Sequence, residues 1–419
     1  MRIFFAVPRS AWVDLNLRRS LEDMGHELVR FDFPGWPDDA DPQWQQHGKP
    51  ITNQRLLEKF RDAIGQNPVD LFFGYFYGSV VYPETIDLIK KSGVPTVNFS
   101  CNNVHQFDLV RDIAPRFDLC VVPELSAQAD FRSVGAKPVR IQLAANPRLY
   151  RPFPEPRIYD VTFVGQRYAD RADFLSHLYC NGVNVRAWGA GWQPHKRVDV
   201  AHVKAVLALI EDERLDGVRR LLVTRFRRGS HYSPRGAKNP SLHEVFVPDE
   251  AGGDVAESAL DTSAAGPARG EAKVAAPQFG TGTADVDTSS YGGPRLLQHE
   301  LIKMFSQSRL SLGFATAGES HLAEKRLTHL RLREFEAPMS GALYLTEDQP
   351  ELAEYFEPGT EVLTYTDQAD LLDKARYYLA HPEQSERIRH AGLERARRDH
   401  TWQHSFSELF AAVGLHDPS

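Results

Sequence analysis

The chain has 419 residues, enough for two α/β domains with separate cores. Its 49 Lys and Arg against 56 Asp and Glu give a formal net charge of −7. That balance excludes a generic polyanion binder, because nucleic-acid affinity rests on an excess of basic residues.

The first run, Met1-Arg-Ile-Phe-Phe-Ala-Val7, stays apolar for only five residues before Pro8. It reads as a β-strand, too short for a signal-peptide core or a transmembrane segment. Apolar runs alternating with amphipathic patterns then predict strands at Ile3–Val7, Glu27–Phe31, Leu71–Tyr75, Thr96–Phe99, Leu119–Val122 and Val139–Leu143. Helices are expected near Val13–Met24, Gln54–Ile64, Pro83–Lys91 and Ala127–Val134. Continuous apolar strands separated by helices argue for a parallel sheet covered on both faces. Cys101, Cys120 and Cys180 are widely spaced with no Cys-x-x-Cys pair, so neither a disulfide framework nor a zinc site is expected, and a reducing cytoplasm is the default compartment.

Three prolines between Tyr150 and Arg157 mark a domain border. Beyond it the pattern restarts with a strand at Val161–Val164, a helix at Ala172–Cys180 stopped by Asn181-Gly182, and a strand at Asn184–Trp188. Between about 225 and 293 the periodicity is lost. From Pro248 to Tyr291 small and polar residues dominate, with Leu260 and Phe279 the only large aliphatic or aromatic residues before that tyrosine, so an insertion without a core of its own is expected. The sheet pattern resumes with a helix near Leu296–Ser306 and a strand at Leu310–Phe314. Arg333-Glu-Phe-Glu-Ala-Pro-Met-Ser-Gly341 then reads as a helix that stops at glycine and feeds the apolar run Ala342-Leu-Tyr-Leu-Thr346. Helices at Ala369–Ala380 and Glu383–Asp399 follow, and Thr401 is a cap for a last one at Trp402–Val413.

Several of these positions carry chemistry. Glu336 offers a carboxylate to a vicinal diol such as ribose, and Arg333, one turn earlier, offers a guanidinium to phosphate; spacing alone fits equally an i, i+3 surface pair. Gly165-Gln166 lies at a strand end just before a helix, where backbone N–H groups attract phosphate, and Arg171 sits one turn into that helix. Gly189, in Trp188-Gly-Ala-Gly-Trp192, permits a tight loop for a nucleobase to lie against. In the first half, the loop Ser100 to Asp108 sets His105 and Asp108 about one turn apart, a base with an orienting carboxylate. Asp39-Ala-Asp41 and Asp285-Val-Asp287 are set aside as metal motifs, and phosphate-loop, nucleophile-elbow and His-Glu-x-x-His patterns are absent.

The segments Asp160 to Trp192 and about 305 to 405, including Glu351 to Glu361, Tyr377 to Pro382 and His400-Thr-Trp402, resemble the donor-binding half of the glycosyltransferases related to spore-coat maturation proteins (CgeB-like). The resemblance implies the α/β GT-B fold, two Rossmann-like domains with parallel sheets facing a central cleft. It implies residues 1–152 as the acceptor-side domain, 153–400 as the nucleotide-sugar donor domain holding the insertion at about 225–293, and 401–419 as a C-terminal helix crossing back. The activity it implies is metal-independent transfer of a sugar from a nucleotide-diphosphate donor to an unknown hydroxyl acceptor, whether glycan, protein or small molecule. Expected donor contacts are Gly165, Gln166, Arg171, Gly189, Arg333 and Glu336, with His105 and Asp108 as catalytic groups. No cofactor beyond the nucleotide sugar, no metal, no nucleic acid and no membrane span are expected. Rival readings are a scaffold or assembly protein derived from the same fold and a sugar-nucleotide epimerase. Asn102 and Asn103 stand where relatives often have acidic residues, and Thr328 stands where many retaining enzymes pair a second Glu with Glu336, so the stereochemical outcome stays open.

Overall fold

The apolar runs form strands, and those at Leu71–Gly74, Thr96–Phe99 and Tyr344–Glu347 are buried on both faces. The computed structural model describes residues 1–193, 288–318, 320–322 and 326–415. The expected insertion at about 225–293 lies, up to residue 287, outside them. The first sheet holds β1 (Arg2–Pro8), β2 (Glu27–Phe33), β3 (Leu71–Gly74), β4 (Thr96–Phe99), β5 (Leu119–Val121) and β6 (Pro138–Val139), in the spatial order β2-β1-β3-β4-β5-β6. The second holds β7 (Tyr159–Val164), β8 (Val185–Trp188), β9 (Gly292–Gly293), β10 (Ser308–Leu312), β11 (Tyr344–Glu347) and β12 (Leu363–Tyr365), in the order β12-β11-β10-β7-β8-β9. All neighbouring strands run parallel.

Register explains why aromatic residues suit the first sheet. Phe4 lies opposite Phe72 and Phe5 opposite Phe73, so their rings stack at 5.4 and 5.5 Å between centroids. Successive side chains leave opposite faces, and both faces are therefore stapled by the same strand pair. In each sheet the strand order reverses beside a central strand, between β1 and β3 and between β7 and β10. The carboxyl edge at such a reversal is where open α/β sheets form a ligand crevice.

The structure departs from the expected elements in a few places. Val13–Arg18 winds as a π-helix before a short α-helix, Arg19–Asp23. The helix expected from Gln54 starts at Lys49, where Pro50 occupies the first turn, a position that needs no N–H donor. β6 ends at Val139 instead of Leu143, and β12 was not anticipated. The last helix, Trp402–Ala412, is capped by the Thr401 hydroxyl, which accepts the His404 N–H, and it packs on elements of the first sheet. Trp402 meets Trp12 at 5.8 Å, Phe406 meets Phe73 at 6.0 Å and Phe410 meets His26 at 5.1 Å between ring centroids. Among the described residues no helix is long and apolar enough to cross a membrane.

Candidate functional site

The loops leaving β7 and β8 are built against each other. Gly165 N–H donates to the Trp188 carbonyl and Arg167 N–H to the Ala190 carbonyl, each at 2.9 Å, and Trp192 Nε1 donates to the Gly165 carbonyl at 2.7 Å. Gly189 has φ +139°, and a Cβ there would stand 2.2 Å from the Gly165 carbonyl oxygen. The close approach that Gly189 permits is thus to the backbone of the neighbouring loop.

Arg171 opens the helix Arg171–Cys180 that follows the β7 loop. It is only 5% exposed. Its Nη1 donates to the Gln166 carbonyl at 3.0 Å and its Nη2 to the Tyr168 hydroxyl at 2.6 Å, while Nε has no hydrogen-bond partner. The guanidinium lies 3.8 Å from the Tyr168 ring centroid and is flanked by Phe163 and Phe314. Burial lowers its pKa to about 10, which still leaves it charged at neutral pH. Aromatic faces stabilise this cation without cancelling its charge.

The segment after β10 folds back on itself. Thr316 bridges Thr328 in antiparallel fashion, Ala317 N–H reaches the Leu327 carbonyl at 2.8 Å and His329 N–H reaches the Ala315 carbonyl at 3.2 Å. Glu347, at the end of β11, fixes the turn by accepting the N–H groups of Ala315 and Thr316 at 3.0 Å each and pairing with Arg326 at 2.8 Å. Arg326 also pairs with Asp170 at 3.0 Å, which ties this segment to the β7 loop. The fold-back returns His329 and Arg331 to the carboxyl edge of the sheet. Arg331 donates to the carbonyls of Phe314 at 2.9 Å and Thr316 at 2.6 Å. Glu334, fully buried, accepts the Arg331 N–H at 2.8 Å, and burial raises its pKa to about 7. Among the described residues, neither Arg171 nor Arg331 has a carboxylate within ion-pair distance of its guanidinium.

The first sheet brings His105 to the same place. It lies on the short helix Asn103–Gln106 after β4, and its ring stands 5.9 Å from the His329 ring at an interplanar angle of 32°. All four ring nitrogens of the two histidines are buried without a hydrogen-bond partner. Burial, assisted by Arg331, pushes the His105 pKa down to about 4. His329 is held well below the usual imidazole range by burial and then by Arg331, His105 and Arg171. Both rings are accordingly neutral at pH 7.

The remaining expected residues fall elsewhere. Asp108 is exposed and pairs with Arg111 at 2.6 Å, so the anticipated carboxylate contact to His105 is not made. Its side chain sits on the solvent side of the turn. Asn102 takes the left-handed conformation at φ +63°, and Asn103 donates its amide to Glu124 at 2.9 Å and to the Ser100 carbonyl at 3.1 Å. Glu336 is fully buried: Oε1 accepts the Tyr150 hydroxyl at 2.6 Å, Gln298 donates to that hydroxyl at 2.8 Å, and Arg333 forms an ion pair with the other oxygen. Arg333 is half-buried, over the Phe305 ring. His329 and Arg331 carry little signal in the sequence, because they lie in an aperiodic segment and match no motif. Their one trace is a His-x-Arg placed immediately before the Arg333 helix. Among the described residues no cluster of three or more His, Cys, Asp or Glu side chains forms a metal site.

A family model described as glycosyl transferase-like matches residues 266–411, less than half of the chain. A search of curated proteins gives no match. Among solved structures, the fold is similar to a sucrose-phosphate synthase from Thermosynechococcus elongatus, at 12% identity and a TM-score of 0.52, over 98% of this chain and 100% of that one. It is also similar to the Anabaena protein HepE in complex with UDP and glucose, at 9% identity and a TM-score of 0.53, over 99% of each chain. A complex of HepE with UDP-glucose superposes at a TM-score of 0.52 and 11% identity, again over 99% of each chain. The architecture is GT-B: two Rossmann-like units, each with a six-stranded parallel sheet.

Proposed function

We propose that this chain is a glycosyltransferase that moves a sugar from a nucleoside diphosphate to a hydroxyl acceptor, in the branch related to spore-coat maturation proteins. The observation that carries the reading is Arg171, a buried and charged guanidinium with an open Nε and, among the described residues, no carboxylate in ion-pair contact with it. A buried cation left in that state is stabilised by an anion brought in from outside. The glycosyl transferase-like match over residues 266–411 and the UDP-glucose complex of HepE support a nucleotide sugar as that anion.

In this reading residues 153–400 hold the donor and 1–152 the acceptor. The N–H groups at the start of helix Arg171–Cys180 and the Gln166 N–H, in the loop buttressed by Gly189, face the diphosphate along with Arg171. Negative charge growing on the departing diphosphate is met by Arg171, so no divalent ion is required. Glu336 is the group for the ribose diol, and a ribose that reaches it takes the place of the Tyr150 hydroxyl or of Arg333. His105, neutral at pH 7, accepts the acceptor proton at a ring nitrogen as the hydroxyl attacks the anomeric carbon. Asp108 takes no part in orienting it. The chain works in the cytoplasm, where nucleotide sugars are at hand.

Calorimetry against a panel of nucleoside diphosphates and their sugars tests the assignment. At least one diphosphate should bind, and Arg171→Gln should weaken it by tenfold or more, about 1.4 kcal/mol. EDTA should leave that binding unchanged. A folded Arg171→Gln variant with unaltered affinity for every ligand in the panel would show that the anion lies elsewhere.

A further inference from the structure

One pair of side chains is not used up by the transfer reading. His329, 2% exposed, and His105 bring four buried ring nitrogens together without giving any of them a partner. A buried polar nitrogen left unsatisfied has lost its water without gaining a partner, which destabilises the fold. Four at one place, contributed by two separate sheets, point to a ligand that completes them. We propose that His105 and His329, with Arg331 beside them, form a receptor for a phosphoryl group shared between the two halves of the molecule.

The chemistry selects the class of ligand. Both rings are neutral, so each presents one N–H donor and one lone pair. Imidazole donors gathered beside a guanidinium suit the several oxygens of a phosphoryl anion. A cation fits poorly: Arg331 and Arg171 both act on His329, and among the described residues no third metal-ligating side chain joins the pair. Geometry sets the direction of approach. The centroid separation of 5.9 Å is less than the ~7 Å that a layer of atoms between two ring faces needs, at about 3.5 Å per contact. The ligand therefore meets the rings at their nitrogen edges.

Resting on the transfer reading, the phosphoryl group is the one that leaves with the nucleotide, and His105 serves two partners at once. One ring nitrogen donates to a phosphoryl oxygen while the other takes the acceptor proton. The imidazolium formed in that step holds the departing phosphate more tightly, since a charged donor makes the stronger hydrogen bond. The phosphoryl group read here is the terminal one of the diphosphate, so the same receptor also takes free pyrophosphate and passes over a nucleoside monophosphate.

Titration calorimetry with inorganic pyrophosphate, UMP and UDP distinguishes these sources, using wild type, His329→Phe and His105→Phe. Phenylalanine keeps each ring and removes both nitrogens, and the half-buried His105 position tolerates the change even if His329→Phe folds poorly. Wild type should bind pyrophosphate, and UDP better than UMP. Each variant should lose at least about tenfold in affinity for pyrophosphate and UDP with UMP unaltered. Pyrophosphate bound through the imidazoles with no preference for UDP over UMP would uphold the anion receptor and remove the transfer reading. UDP and pyrophosphate affinities within twofold of wild type in both variants would overturn the receptor and leave the transfer reading intact. Failure of pyrophosphate to bind wild type, or histidine-dependent binding of zinc in its place, would overturn it too.

Discussion

At the scale of single residues, burial decides what each titratable group can do. His105 shows this with a definite sign. Its folded-state pKa is about 4, against about 6.5 for an imidazole in an unfolded chain. Between those values the unfolded chain binds more protons, so stability falls as pH drops from 6.5 toward 4. Glu334 acts in the opposite sense: its pKa is raised to about 7, so the folded state binds more protons above the ordinary Glu value and stability falls as pH rises toward 7. The two contributions offset each other in wild type, and a difference measurement separates them. Urea unfolding at pH 7 and pH 5 should show that His105→Phe loses less stability on acidification than wild type does, because Glu334 is common to both. Equal losses would mean that the ring already carries its proton at pH 7 or stays in water.

At the scale of elements, loops at the carboxyl edges position the site, and glycine makes their packing possible. Gly189→Ala should destabilise the protein by about 1–3 kcal/mol, the cost of forcing a side chain into that backbone region, with further loss from the clash at the Gly165 carbonyl. Denaturant midpoints that coincide with wild type would show that the two loops separate freely. Strand content was legible in the sequence wherever β-branched and aromatic residues ran together, as at Phe4-Phe5 and Phe72-Phe73, since such runs fit only a doubly covered parallel strand. Short edge strands such as β6, β9 and β12 carry little of that signal. Gly165 and Arg171 were legible as a strand-to-helix turn with a cation, a purely local pattern. His329 and Arg331 were not, because their position depends on the Thr316–Thr328 bridge and on Glu347, which holds Ala315 and Thr316 from another strand. The exposure of Asp108 is likewise a matter of which way a turn faces, and spacing along the chain does not report it.

At the scale of the whole molecule, side chains of the two halves meet at several points. The last helix returns to the first sheet through Trp402, Phe406 and Phe410. Tyr150, at the junction between the sheets, holds Glu336 from the second half. His105 from the first half and His329 from the second bring their rings to 5.9 Å. Such an arrangement lets a ligand of one half be sensed by the other, because its contacts are divided between them. The central claim, that this junction handles a nucleotide sugar, is tested most directly by turnover. Wild type and Arg171→Gln are incubated with a panel of nucleotide sugars, and release of the nucleoside diphosphate is followed over time. At least one donor should be consumed by wild type, in EDTA as in buffer, and Arg171→Gln should slow its release at least tenfold, about 1.4 kcal/mol of lost transition-state stabilisation. A folded Arg171→Gln protein that releases the diphosphate at the wild-type rate, or a wild type that consumes none of the donors, would contradict the account.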